Sequence, residues 1–303
     1  MSTISVWQIK KDGNARINLE DKSSLDAITR QLPEGYYSTF RTFDGGTRVL
    51  GLSVHLQRLY KPVSTPEVGE PILRRHLSAL LEPYRPNEAR VRAIMTRQGE
   101  VYLAIASLAP LPRAVFEKGV HVETTDLQRE HPRLKSTSFI GRSDWERKHL
   151  AEEGIFEALL VKDGKILEGM TSNFFYRRSH RAERSGATLA PHAHLPRTQV
   201  PGSAGESKRE AILCTTRDGI LLGVTRQIVI EIAWGRGLGV KYQPLQLDQV
   251  TAINEAFITS SSRGIVPVVR IDNVTVGQGS PGPITKELMA AYESYVVEKA
   301  EKI

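Results

Sequence analysis

Hydrophobic positions recur with two different periods along the first 130 residues, and each period predicts its own kind of element. Aromatic and β-branched residues dominate GYYSTFRTF (35–43), which predicts a strand. Apolar residues at helical spacing in PILRRHLSALLEPY (71–84) predict a helix. A short helix over 54–62 stops at a proline, two strands over 89–108 flank the turn RQGE, and another strand covers 119–127. This mixture predicts an α+β unit built on an antiparallel sheet.

A second unit begins near residue 135. The segment EALLVKDGKILEGMTSNFFY (157–176) predicts strands joined by a turn at Asp163-Gly164. Further elements are a helix over 225–234, a strand over 256–262 and a closing helix over 284–303. We therefore expect one domain at 1–130 and a second at 135–303.

The segment 177–210 differs from the rest of the chain in composition. It is rich in Arg, Ser, Pro, Ala and His and has few apolar residues, so it cannot bury enough surface to offset its ordering entropy. Its histidines, His180, His192 and His194, raise the possibility of a metal site, but their spacing suits no common one and no cysteine lies near. We expect a flexible, solvated insertion and no metal.

Composition narrows the functional class only a little. The 303 residues carry a formal net charge of +7, and the stretch 176–211 alone has seven basic and three acidic residues. Because over half of the excess charge lies in this one segment, a nucleic-acid interface is not favoured. The single cysteine, Cys214, excludes an intramolecular disulfide, and no apolar run is long enough for a membrane helix. With no signal-peptide pattern at the start, we expect a cytoplasmic protein without a membrane partner.

The residues with the most specific chemistry lie in EGMTSNFF (168–175) and PRLKST (132–137), which place Lys135 33 residues before Glu168. In chain order, the further motifs are VHLQRLY (54–60), LLGVTRQ (221–227), EAFITSSSRG (255–264) and PGPITKEL (281–288). Taken together, the ordered set resembles the class IV aminotransferases, the group of branched-chain aminotransferases and D-amino-acid transaminases. The resemblance covers nearly the whole chain.

The resemblance implies a two-domain fold-type IV architecture, with a small α/β sandwich at 1–130, a linker near 128–134 and a larger pseudo-β-barrel domain at 135–303. The cofactor pyridoxal 5′-phosphate (PLP) would lie between the two domains. It implies that Lys135 is the catalytic lysine and that Glu168 pairs with the pyridine nitrogen of the cofactor. It also implies an amino acid and a 2-oxo acid as substrates, and a homodimer. Further cofactor-binding residues would be Arg58, Asn173, Val224, Thr225 and Ser261. Substrate-binding residues would be Tyr37, Ser262 and Arg263.

Departures from the family pattern leave the substrate open. Tyr37-Ser38-Thr39 stands where many members have Phe-Glu followed by Thr or Gly, and Ile140 replaces a tyrosine of branched-chain enzymes. The run Ser262-Arg263-Gly264 replaces a turn that often reads small-small-Glu. The alternatives are a PLP-dependent lyase resembling 4-amino-4-deoxychorismate lyase and a non-catalytic PLP-binding protein. Taken singly, Lys135 could be a surface charge, Arg58 could decorate a helix, and the serines at 260–262 could cap a turn.

Overall fold

The computed structural model describes residues 4–178 and 212–303, which form two sheets and the helices packed on them. The elements up to residue 125 are β1 (Ser5–Lys10), β2 (Gly13–Arg16), α1 (Leu25–Gln31), β3 (Gly35–Phe43), β4 (Arg48–Val49), α2 (Leu52–Tyr60), α3 (Glu70–Leu81), a 3₁₀ turn (Glu82–Tyr84), β5 (Ala89–Thr96), β6 (Val101–Ser107), α4 (Arg113–Lys118) and β7 (Val120–Thr125). Those that follow are α5 (Ser138–Arg142), α6 (Asp144–Glu152), β8 (Glu157–Lys162), β9 (Lys165–Gly169), β10 (Asn173–Arg178), β11 (Ile212–Thr215), α7 (Val224–Gly235), β12 (Gly239–Tyr242), β13 (Leu245–Gln246), a 3₁₀ turn (Leu247–Ala252), β14 (Ile253–Ser260), β15 (Gly264–Ile271), β16 (Val274–Thr275), α8 (Pro283–Lys299) and β17 (Glu301–Lys302).

The first sheet has seven strands in the order β17-β4-β3-β5-β6-β1-β2, all paired antiparallel. Helices α2 and α3 bury their apolar stripes against it, since Leu56, Leu59, Leu73 and Leu77 share one core cluster with Val91 and its neighbours on β5. The strand β17 comes from the C-terminus, so both ends of the described chain meet in this sheet. The predicted helices over 54–62 and 71–84 are present, with limits shifted by one to three residues.

The second sheet closes on itself. Its order is β12-β11-β10-β14-β15-β7-β8-β9-β13, and an additional pairing of Asn173 on β10 with Glu168 on β9 joins two strands that lie far apart in this order. The six strands from β10 through β14, β15, β7, β8 and β9 therefore form a closed barrel with an apolar interior. Closure removes the exposed edges that an open sheet would leave.

Strand β7 differs from the prediction in the sheet to which it belongs. The sequence pattern predicts the segment 119–127 in the antiparallel first unit, yet β7 pairs parallel with β8 and β15 in the barrel. The reason is that parallel partners lie far away in sequence, and a local hydrophobic pattern carries no information about them. The predicted domain limits at 1–130 and 135–303 stay a prediction. In the structure, the strands before β7 belong to the first sheet and the strands from β7 onwards to the second, except for β17, which returns to the first sheet.

A glycine fixes the hairpin that carries the predicted serine-rich turn. Gly264 begins β15 with φ +69°, and a Cβ at this position would lie 3.1 Å from the ring of Tyr292. This left-handed backbone at no steric cost is what only glycine offers. The hairpin β14–β15 can therefore turn tightly and present residues 261–263 at its end.

Most of the predicted insertion at 177–210, including its three histidines, lies outside the described residues. Within 4–178 and 212–303, no cluster of three or more metal-ligating side chains is present. In the same residues, no helix combines the length and the apolar character needed to cross a membrane.

Candidate active site

All ten residues singled out from the sequence line one cavity between the first sheet and the barrel. These residues are Tyr37, Arg58, Lys135, Glu168, Asn173, Val224, Thr225, Ser261, Ser262 and Arg263. They come from β3, α2, the segment before α5, β9, β10, α7 and the β14–β15 turn. Residues far apart in sequence thus converge, although their individual roles remain predictions.

Lys135 is held by the edge of the first sheet. Its carbonyl oxygen accepts a hydrogen bond of 2.9 Å from the amide of Tyr37. Two residues on, the hydroxyl of Thr137 accepts one of 2.9 Å from the amide of Gly35. Gly35 must be glycine, because a Cβ there would lie 2.1 Å from the carbonyl oxygen of Met95. The amine of Lys135 lies 5.1 Å from the centre of the Tyr37 ring.

The surroundings of Lys135 make its amine a much weaker base than that of an exposed lysine. Burial is the larger cause that lowers the pKa of Lys135, and the positive charges of Arg58, Arg129 and Arg92 are the second. Together they hold this pKa well below its usual value. Glu168 opposes this effect. An amine that loses its proton easily can act as a nucleophile and as a base near neutral pH.

Glu168 lies at the closure of the barrel and is almost entirely buried. Its Oε1 accepts a hydrogen bond of 2.9 Å from Nε of Arg129, and its Oε2 accepts one of 3.0 Å from Nδ2 of Asn173 and one of 3.1 Å from the amide of Leu221. Burial raises the pKa of Glu168 to about 7, and the nearby guanidinium of Arg129 only partly offsets this. The carboxyl can therefore hold or release a proton around neutral pH.

Asn173 connects Glu168 to the start of helix α7. Its Nδ2 also donates a 2.7 Å hydrogen bond to the carbonyl of Leu221, and its Oδ1 accepts one of 3.1 Å from the amide of Gly223. Gly223 precedes the helix, and a Cβ there would lie 2.2 Å from Oδ1 of Asn173. The pair Asn173 and Glu168 that closes the barrel thus also positions the helix N-terminus.

The N-terminus of α7 forms a second part of the cavity, which suits an anion. Amides in the first turn of a helix have no acceptor within it, and the helix dipole favours negative charge there. The guanidinium of Arg58 is fixed beside this turn by a 2.7 Å hydrogen bond to the carbonyl of Leu222. Hydroxyls of Thr225 and Ser261 lie 3.5 Å apart at the same place.

A third part of the cavity carries four arginines, Arg90, Arg92, Arg147 and Arg263, which we call the arginine face. Arg92 is buried and paired with Asp26 at 2.6 Å, and Arg147 reaches the other oxygen of Asp26 at 3.1 Å. Arg263 donates hydrogen bonds of 2.6 Å to Glu157 and to the hydroxyl of Thr171. The guanidinium of Arg263, which is predicted to bind the substrate, is therefore already paired with the buried acid Glu157.

Several residues of this cavity were not singled out from the sequence. Arg129 lies in the segment predicted as a linker, where nothing local marks it as the partner of Glu168. Arg90 and Arg92 did carry a signal, because the alternation in ARVRAIMT places both on the same face of a strand. His55, whose Nδ1 lies 2.8 Å from the hydroxyl of Ser38, has a pKa well below its usual value because it is buried beside Arg58 and Lys135.

The sequence matches the model of a known protein family. The family "Amino-transferase class IV" matches residues 35–271, which is more than half of the chain. The chain belongs to this family. The predicted membership is thereby confirmed, as are PLP-dependent amino transfer and the use of PLP as cofactor.

Relatives and solved structures agree over nearly the whole length. A D-alanine aminotransferase of Bacillus licheniformis is 25% identical over 95% of this chain and 98% of its own length. A branched-chain-amino-acid aminotransferase of Pseudomonas aeruginosa is 23% identical, over 88% of this chain and 85% of its own. The PLP-bound form of a hypothetical aminotransferase from Mycobacterium tuberculosis superimposes with a TM-score of 0.69 at 19% identity, covering 97% of this chain and 99% of that one. The predicted fold-type IV α+β architecture is thereby confirmed.

The cavity fits PLP on chemical grounds. PLP needs an amine, an acidic partner for its pyridine nitrogen and an anion-binding site for its phosphate. The first is available in Lys135, whose pKa is lowered by burial and nearby cations, and the second in the buried carboxyl of Glu168. The helix start with Arg58 offers the third.

Proposed function

We propose that this chain exchanges an amino group between an amino acid and a 2-oxo acid, with Lys135 as the catalytic residue and Glu168 as the partner of the cofactor's pyridine nitrogen. The observation that carries the proposal is the single cavity shared by an amine of lowered pKa, a buried carboxyl and a helix N-terminus. Family membership supports the reaction type.

Lys135 would act on the substrate's Cα. Bound PLP supplies an electron sink for the charge that forms there. With its lowered pKa, the amine of Lys135 can take the α-proton and return it at the cofactor side, as general base and then as general acid. Hydrogen bonds from Arg129, Asn173 and Leu221 fix the carboxylate of Glu168, which keeps a proton on the pyridine nitrogen.

The phosphate of PLP would bind at the start of α7. The amides of Val224 and Thr225, the guanidinium of Arg58 and the hydroxyl of Ser261 supply hydrogen bonds and positive charge. Asn173 supports this end by holding the amide of Gly223. On the substrate side, Tyr37, Ser262 and Arg263 complete the lining.

The names of the relatives suggest two amino donors, a branched-chain amino acid or D-alanine. We further propose a homodimer, which the family resemblance implies, and a cytoplasmic location, which the single cysteine favours.

A substrate panel tests the proposal. Purified protein loaded with PLP is mixed with L- and D-amino acids, and the conversion of the cofactor to its amino form is followed by absorption. We expect conversion with at least one amino acid and reversal by a 2-oxo acid. Release of pyruvate without an acceptor would favour a lyase instead, and the absence of any change with the whole panel would contradict catalysis.

A further inference from the structure

Arg90 occupies an unusual place on the arginine face. It lies on β5 two residues before Arg92, so both side chains point to the same side of the sheet, and its register partner on β3 is Arg41. Arg90 lines the cavity that contains Lys135. It also lines a second, adjoining cavity whose walls include the apolar side chains of Leu111, Phe116 and Met170.

Among the described residues, Arg90 is the member of the arginine face that makes no side-chain hydrogen bond or ion pair. Its Nε is shielded from solvent and has no partner in residues 4–178 and 212–303. Arg92, by contrast, reaches Asp26, the carbonyl of Leu25 and two threonine hydroxyls. In the same part of the chain, the acid that raises the pKa of Arg90 is Asp26, whose two oxygens are engaged by Arg92 and Arg147.

The charge balance of the cavity shows the same shortage of acids. Its basic lining residues are Arg58, Arg90, Arg92, Arg129, Lys135, Arg147 and Arg263. Three carboxylates, Asp26, Glu157 and Glu168, contact this set. Even with Lys135 neutral, six guanidinium charges face only these three carboxylates among the described residues.

The isolation of Arg90 has an energetic consequence. Burial, and then repulsion by Arg92 and Arg263, lowers the pKa of Arg90 to about 10, so it is still charged at neutral pH. A half-buried cation without an acidic partner among the described residues costs some free energy, which the negative charge of a ligand can offset. The position between two cavities leaves the guanidinium accessible to such a ligand.

We propose that Arg90 binds a carboxylate of the substrate, and this rests on the proposed aminotransferase function. A planar guanidinium can donate two parallel hydrogen bonds to a carboxylate. Arg263 is a weaker candidate, because Glu157 and Thr171 already accept hydrogen bonds from its Nη2. The carboxylate is either the one on Cα or a second one at the far end of a dicarboxylic substrate.

Binding of unreactive acids to the PLP-loaded protein tests this assignment without turnover. Dissociation constants for 4-methylpentanoate and glutarate are measured by calorimetry for the wild type, Arg90→Gln and Arg90→Lys. Arg97→Gln is the matched control, since Arg97 follows the same strand but is 62% exposed and pairs with exposed Glu34. We expect Arg90→Gln to weaken binding of at least one acid tenfold or more, Arg90→Lys to weaken it less, and Arg97→Gln to change it less than twofold.

The two acids separate the two sources of the carboxylate. Equal weakening of both assigns Arg90 to the carboxylate on Cα, and weakening of glutarate alone assigns it to a distal carboxylate. Constants for both acids within twofold of the wild type in Arg90→Gln would overturn the proposal, and so would an equal loss for the neutral amide 4-methylpentanamide. If Arg90→Gln does not fold, unchanged constants in Arg90→Lys would likewise count against it. A wild type that binds acids through Arg90 but converts no amino acid would instead refute the proposed function and leave Arg90 as a carboxylate-binding residue.

Discussion

The charged groups at the two ends of the cavity differ in how completely they are paired with partners in the chain. Around Glu168, each carboxylate oxygen accepts hydrogen bonds within the chain, and Asn173 uses both ends of its amide. On the arginine face, Arg92, Arg147 and Arg263 have acidic partners, but Arg90 has none among the described residues. A site whose polar groups already have hydrogen-bond partners is preorganised, whereas an unpaired charge can still bind a ligand.

This contrast fits the different demands on a cofactor and a substrate. A cofactor stays through many reactions, so its site gains from rigid positioning. A substrate must enter and leave, so part of its binding energy is supplied only when it is present. The following predictions test this division between the two ends.

Replacing Lys135 has the largest expected effect. The Lys135→Ala variant should lose transamination by about 10³-fold or more, because it lacks both the cofactor-binding amine and the base, and a general base alone contributes about 10²–10⁴-fold. Single-turnover kinetics with the best amino donor measure this. Lys162→Ala, an exposed lysine at the end of β8, is the control. Activity within tenfold of the wild type would remove Lys135 from its assigned role.

The Glu168→Gln variant should still bind PLP but turn over about 100-fold more slowly, since an amide cannot stabilise a protonated pyridine as a carboxylate does and each 1.4 kcal/mol is about tenfold. Stopped-flow kinetics of the first half-reaction measure the effect, with the exposed Glu152→Gln as control. A near-normal rate would show that Glu168 does not act on the cofactor.

On the arginine face, Arg263→Gln should lower stability by about 2 kcal/mol, because it leaves the buried Glu157 without its cation, with a discount for the partial exposure of Arg263. Urea unfolding measures the change, and the double variant Glu157→Gln/Arg263→Gln should recover most of it. A single variant as stable as the wild type would show that the pair contributes little. A raised KM in Arg263→Lys as well as Arg263→Gln would support the prediction that Arg263 binds substrate.

Without cofactor, the stability of the protein should depend on pH through Glu168. Burial raises the pKa of Glu168 from 4.5 to about 7, so between these values the folded protein binds a proton that the unfolded chain has released. Stability should therefore fall as the pH rises through this window in the wild type, but not in Glu168→Gln. Thermal unfolding at a series of pH values measures the difference. A constant difference between the two proteins would contradict the raised pKa.

The sequence predicted those parts of the molecule that have local patterns. Strand β3 was predicted with its observed limits, and α7 to within one residue at each end, because each has a clear hydrophobic pattern. Helices α5 and α6 were not predicted, since α5 is only five residues long and α6 buries little more than Leu150. The closure of the barrel by a single pairing of Glu168 and Asn173 also lies beyond any local pattern.

The residues of the candidate site also differ in whether a local sequence pattern reveals them. Residues in recognisable motifs, such as Glu168 and Thr225, were predicted together and do line one cavity. Arg129 and Arg147 were missed because their importance depends on the acids they meet in space, Glu168 and Asp26. Counting charges along the chain could not reveal that Arg90 is the member of the arginine face without an acidic partner among the described residues.

The most direct test of the account is to identify the lysine that carries PLP. The loaded protein is reduced with borohydride, digested and analysed by mass spectrometry for the peptide that retains the cofactor. We predict one modified peptide, with the label on Lys135. A label on another lysine, with Lys135 unmodified, would contradict the assignment of this cavity as the active site.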